Sequence, residues 1–154
     1  MLFREIPGHE IIKKRLRHTV SEGRISHAQL FHGPEGCGKL ALALAYTQYI
    51  CCTDKSEMDS CGKCPSCTKL NKHIHPDVHF VYPAVTTKIE ADDEDSDNAP
   101  AVNFIEKWRE ALIENPYLNQ FQWYEKIGIE TKQGFISAKD SSGIIRKLSL
   151  KSYE

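Results

Sequence analysis

Four cysteines constrain this chain more than any other feature. Cys52, Cys61, Cys64 and Cys67 stand in the order Cys-x8-Cys-x2-Cys-x2-Cys. Two residues between ligands let a single turn grip a metal ion twice, and zinc favours tetrahedral thiolate ligation. Cys61, Cys64 and Cys67 make two overlapping knuckles, and Cys52 supplies a fourth thiolate. Four protein ligands leave no open coordination position, so the spacing predicts a structural Zn²⁺ site. Cys51 competes with Cys52 for the fourth place, and His73, His75 or His79 could replace a cysteine. A redox pair is the alternative for Cys-x2-Cys, but a third cysteine at the same interval disfavours it.

Just upstream lies a second motif. Gly33-Pro34-Glu35-Gly36-Cys37-Gly38-Lys39 meets every position of G-x-x-x-x-G-K-[ST] except the last, which is Leu40. Glycines let such a loop wrap on phosphate oxygens, its N–H groups form an anion nest, and the following helix adds partial positive charge. The candidate phosphate-binding residues are Gly33, Gly36, Cys37, Gly38, Lys39 and Leu40, with Lys39 reaching the terminal phosphates. Cys37 is a small filler. Leu40 has no hydroxyl for Mg²⁺. The 154 residues contain no apolar run ending in Asp or Asp-Glu, and Ile127-Gly128-Ile129-Glu130 is short and broken by glycine. Weak nucleotide binding at best, with no catalytic residue and no meaningful hydrolysis, is therefore expected.

Around these motifs the chain punctuates itself. Ile12, Leu16 and Val20 predict an amphipathic helix over about 8–22, ended by Gly23. Residues 28–32 form a strand candidate before the glycine loop, and 39–50, rich in Ala and Leu on all sides, a buried helix. A His75-Pro76-Asp77 turn opens a second strand candidate over 77–82. Phe104, Ile105, Trp108 and Leu112 give helical periodicity, broken at Asn115-Pro116, and 121–127 is helical. Gly134-Phe135-Ile136 reads as a short strand. Ser137 to Asp140 is a capping-box pattern opening a helix with Ile144, Ile145 and Leu148. The expected class is α/β: an incomplete phosphate-loop parallel sheet with flanking helices and a small four-cysteine zinc insertion.

Charge adds less. A formal net charge of -1 gives no general argument for nucleic acid or membrane binding. Glu90, Asp92, Asp93, Glu94, Asp95 and Asp97 read as a solvated acidic linker. The start shows no signal-peptide pattern and no run reaches transmembrane length, so a cytoplasmic protein with reduced cysteines is expected. A zinc module binding nucleic acid directly would need basic and aromatic residues around its knuckles. Asp54, Glu57 and Asp59 offset the lysines there, and no aromatic lies between Cys51 and Val78.

Ile6-Pro7-Gly8-His9-Glu10, the run Arg24 to Phe31, Gly33 to Lys39, the cysteine insertion and His75-Pro76-Asp77 together resemble the N-terminal ATPase-type (AAA+) module of bacterial DNA polymerase III clamp-loader subunits. The resemblance covers about 3–82 and resumes at about 136–150. It implies an N-terminal AAA+ portion over 1–154, a zinc-binding insertion over 51–75, and a family-specific insertion over 84–134 with its acidic linker over 90–99. It also implies a longer natural protein. The departure at Leu40 is similar to the delta prime type of subunit, a largely non-catalytic stator, whereas gamma/tau motors keep a hydroxyl there. The implied partners are the gamma/tau and delta subunits, with the sliding clamp and primed DNA reached through the complex. An incomplete sheet leaves apolar faces bare, so self-association of this chain is also expected.

Overall fold

The computed structural model describes residues 1–85, 103–129, 134–138, 140, 142 and 143. The chain divides into two compact units, Met1–His75 with Ile113–Asn119, and Pro76–Leu112 with Gln120–Glu154.

The first unit starts with a 3-10 turn over Phe3–Glu5. Helix α1 covers Glu10–Ser21. It stops where glycine allows a left-handed residue: Gly23 has φ 66° and donates to Val20 O, while Arg24 N–H donates to Thr19 O. These are the two bonds of a Schellman motif. Helix α2 covers Lys39–Cys51 and buries Ala41, Leu42, Ala45, Tyr46, Gln48 and Tyr49, as its apolar residues on all sides require. Helix α3, Pro65–Asn71, is short and begins with proline at its first turn, where the missing N–H costs nothing. The core joins Phe3, Ile6 and Leu16 to the buried face of α2. Lys13 is buried too, and its Nζ donates to Ile6 O (2.6 Å) and Glu10 Oε1 (2.9 Å).

The second unit is organised by aromatic rings. Helix α4 covers Ile105–Glu114, its last two residues being counted with the first unit, and helix α5 covers Gln120–Ile127. Trp108 stacks on Tyr82 with centroids 4.5 Å apart, and Trp123 meets both edge-on at 4.9 and 5.1 Å. Trp123 Nε1 donates to Pro83 O (2.7 Å), so the indole is buried with its polar edge satisfied. Ser137 and Asp140 form the expected reciprocal cap: Asp140 N–H donates to Ser137 Oγ (3.1 Å), and Ser137 N–H to Asp140 Oδ2 (2.9 Å).

The expected parallel sheet is not there among the described residues. Among the described residues no strand forms, and the α/β class is corrected to a helical arrangement. One isolated β-bridge joins Ala84 and Phe135, antiparallel, and it is all that remains of the strand expected at 134–136. A strand exists only through its neighbours, and the candidates at 28–32 and 77–82 fall in different compact units. The first runs as exposed coil; the second spends Phe80 and Tyr82 on the aromatic cluster. The acidic linker and Ile144, Ile145 and Leu148 lie outside the described residues.

Candidate metal centre and phosphate loop

The cysteine centre is built on the end of α2 and the start of α3. Cys52 is the residue at which α2 ends, and it turns extended (φ -71°, ψ 124°). A tight turn follows in which Asp59 N–H donates to Ser56 Oγ (3.0 Å) and Ser56 N–H to Asp59 O (2.9 Å). Tyr49 Oη donates to Ser56 O (2.9 Å), tying this turn to α2. Gly62, at φ 74°, then reverses the chain so that Cys61 and Cys64 face each other. Cys64 caps α3, its sulfur accepting from Cys67 N–H at 3.4 Å.

The four sulfurs converge. Cys52 and Cys61 Sγ lie 3.6 Å apart, and the Cys61–Cys67 and Cys64–Cys52 separations are 4.0 Å. All four atoms lie within 4.8 Å of one another. Sulfurs placed tetrahedrally at about 2.3 Å from one ion would stand about 3.8 Å apart. The geometry therefore suits a metal ion at the centroid. Backbone N–H groups already point at the sulfurs: Cys61 N–H at Cys52 Sγ (3.3 Å) and Cys64 N–H at Cys61 Sγ (3.3 Å). Such donors stabilise thiolate charge. Burial would raise the Cys64 thiol, but the Cys67 N–H and the hydroxyl and N–H of Thr53 outweigh it and bring it down to about 6. Burial pushes Cys52 and Cys67 up.

Spacing left Cys51 and three histidines as alternatives to the four cysteines. Among the described residues the cluster contains Cys52 and not Cys51, and no histidine. His75 is instead buried against Ser66, with Nε2 2.9 Å from Ser66 Oγ, and so ties the chain beyond α3 back to that helix. His73 is buried at a left-handed position (φ 54°) beyond α3.

Asp59, read from the sequence only as an acid offsetting the nearby lysines, matters more. Asp59 is buried, and its carboxylate accepts from Phe3 N–H (3.1 Å), Arg4 N–H (3.0 Å) and Ser60 N–H (2.9 Å). The only signal in the sequence was an acid between cysteines, which local patterns do not distinguish from a solvated one.

The glycine loop has the turns its glycines require, with Gly36 at φ 72° and Gly38 at φ 82°. Gly33 is needed for room: a Cβ there would meet Cys37 Sγ at 2.7 Å. Gly38 precedes α2, and a Cβ there would lie 3.2 Å from the Tyr117 ring, a contact invisible in the sequence. Lys39 folds back on its own loop, Nζ donating to Gly33 O and Pro34 O at 2.7 Å each. Cys37 O bonds His9 Nε2 at 2.8 Å. Leu40 stands half-buried in the first turn of α2. The adjoining cavity, lined by His9, Ile12, Leu16, Phe31, Lys39 and Leu42, measures about 210 Å³. Ligand pockets generally run from about 300 Å³ upward.

A glycine–lysine loop and a four-cysteine cluster thus stand at opposite ends of one helix. The chain matches, over residues 8–153, the family described as DNA polymerase III, delta subunit, and it belongs to that family. It is 38% identical over 68 residues to DNA polymerase III subunit gamma/tau of Mycobacterium tuberculosis, covering 44% of this chain and 12% of that one. With DNA polymerase III subunit delta' of Bacillus subtilis it shares 35% identity over 72 residues, 47% of this chain and 22% of the relative. With subunit tau/gamma of Haemophilus influenzae it shares 26% over 116 residues, 75% of this chain and 17% of the relative. The chain thus spans between 12% and 22% of the length of these relatives. No solved structure matches it. Among the described residues no helix is long and apolar enough to cross a membrane.

Proposed function

We propose that this chain is the N-terminal portion of a clamp-loader subunit of the delta prime type. In that role it acts as a non-catalytic stator, working with gamma/tau and delta subunits to place the sliding clamp on primed DNA. Family membership supports the clamp-loader role, and Leu40 carries the assignment within it. Without a hydroxyl after Lys39 the loop has no side-chain ligand for Mg²⁺. The return of Lys39 to the Gly33 and Pro34 carbonyls agrees with a loop that holds itself together without nucleotide. The cysteine centre binds a structural Zn²⁺ through Cys52, Cys61, Cys64 and Cys67.

The gamma/tau relatives favour a second reading, an active ATPase. Mg²⁺-dependent ATP turnover separates the two. The stator reading expects the chain to turn over ATP no faster than a Lys39→Ala variant. Turnover clearly above that variant restores the motor reading.

A further inference from the structure

We propose that the cysteine centre has a second role, as a metal-dependent clasp for the first six residues of the chain, with Asp59 as the positioning residue that links them. The inference rests on the reading of the centre as a metal site.

The N-terminal segment carries part of the core yet has little regular structure of its own. Phe3 and Ile6 are almost fully buried, and Phe3 packs against Tyr49 with ring centroids 5.7 Å apart. A single 3-10 turn cannot hold such side chains in place, because its first N–H groups have no partner inside the turn. Those donors are Phe3 and Arg4, and both point at Asp59. Asp59 therefore caps a turn that lies 55 and 56 residues away in sequence. Two further contacts come from the same loop and helix. Leu2 side-chain carbons lie 3.6 Å from the position a Gly62 Cβ would take. Asn71 Oδ1 at the end of α3 accepts from the Met1 amine (3.0 Å). The same Asp59 Oδ1 that receives Phe3 N–H also receives Ser60 N–H, next to the ligand Cys61.

Asp59, Gly62 and Asn71 are spaced along the stretch whose path the four cysteines set. A bound ion fixes Cys52 against Cys61 and so fixes the loop between them. Loss of the ion lets that loop open, and the carboxylate leaves the Phe3 and Arg4 amides. Linkage makes the effect reciprocal: what holds Asp59 in place strengthens metal binding.

Amide hydrogen exchange on the zinc-loaded chain, with metal content measured beside it, tests this. In the wild type, Phe3 and Arg4 amides are expected to be protected and to lose that protection when a chelator removes the ion. In Asp59→Asn, which keeps one acceptor oxygen and turns an NH2 donor toward the other amide, at least one of the Phe3 and Arg4 amides exchanges rapidly even with the ion bound, and zinc affinity falls about tenfold, within the usual range of site-to-site coupling. Protection at Phe3 and Arg4 that survives chelation, while residues 52–67 loosen, overturns the proposal. So does an Asp59→Asn protein that keeps both protections. If Asp59→Asn does not fold, the wild-type chelation experiment alone decides. A chain that binds no metal overturns the clasp together with the metal reading, and the metal measurement identifies that case separately.

Discussion

Two stretches of the first unit handle their backbone in opposite ways. From Cys52 to His75 the chain has little regular structure beyond α3, yet it is locked by the Ser56–Asp59 turn, three N–H groups on cysteine sulfurs, the Asp59 carboxylate and the Ser66–His75 pair. From Ile25 to His32, no backbone–backbone hydrogen bond forms among the described residues, and Leu30 is 88% exposed. Gln29, through Tyr46 Oη, and the Phe31 ring tie this stretch to α2. Irregular backbone is ordered when local side chains and a metal satisfy it; extended backbone is ordered only by a neighbouring strand. The contrast locates where this chain is self-sufficient and where it is open to another polypeptide.

The largest expected effect lies in the self-sufficient stretch. Cys64→Ser removes a ligand and the cap of α3 together, and it is expected to release the ion and cost about 5 kcal/mol or more, since a structural zinc supplies folding free energy directly. Cys51→Ser, one residue from a ligand but outside the cluster, should keep full metal content and near-native melting. Equal losses in the two variants would erase the distinction drawn between Cys51 and Cys52. Next, Ser66→Ala takes a buried partner from His75 Nε2 and should lower stability by about 2 kcal/mol in denaturant titration. A change near zero would show that the pair does not help to hold the turn after α3.

Effects diminish along the glycine loop and the open stretch. Gly38→Ala forces a side chain into the left-handed region against the Tyr117 ring and should cost about 1–2 kcal/mol. Leu30→Ser should change stability by less than about 0.5 kcal/mol, because the side chain is already in water. The same substitution should reduce self-association in light scattering, if copies of the chain meet along this edge as an unpaired extended segment invites. A monomeric wild type at all concentrations would remove the contrast's consequence for assembly.

Local signals were legible wherever the physics is local. Of Ile12, Leu16 and Val20, whose spacing predicted α1, Leu16 is buried and Val20 packs on the core while Ile12 is exposed; the helix still ends at Gly23 in its Schellman motif, and the Ser137–Asp140 cap is present as its residues imply. The four cysteines picked out by spacing are the four whose sulfurs lie within 4.8 Å of one another, because two-residue intervals fix which sulfurs can share a turn. Strands failed for the opposite reason: the position of 28–32 before the glycine loop and of 77–82 between a turn and Pro83 says where a strand could start and stop, while pairing depends on segments distant in sequence. The same distance hid Asp59 under Phe3, Tyr117 against Gly38, and Trp123 under Pro83. None of these carries a local pattern, since each joins residues roughly 40 or more positions apart through tertiary packing.

The central claim is that four thiolates hold one structural metal ion, and elemental analysis combined with thiol titration tests it most directly. The purified chain should contain one zinc per molecule. With the fold intact, Cys37 and Cys51 should react with a thiol reagent before the other four, which become reactive only as the zinc is released. A stably folded, metal-free chain, with Cys52, Cys61, Cys64 and Cys67 titrating at the rate of Cys37 and Cys51, would contradict the account.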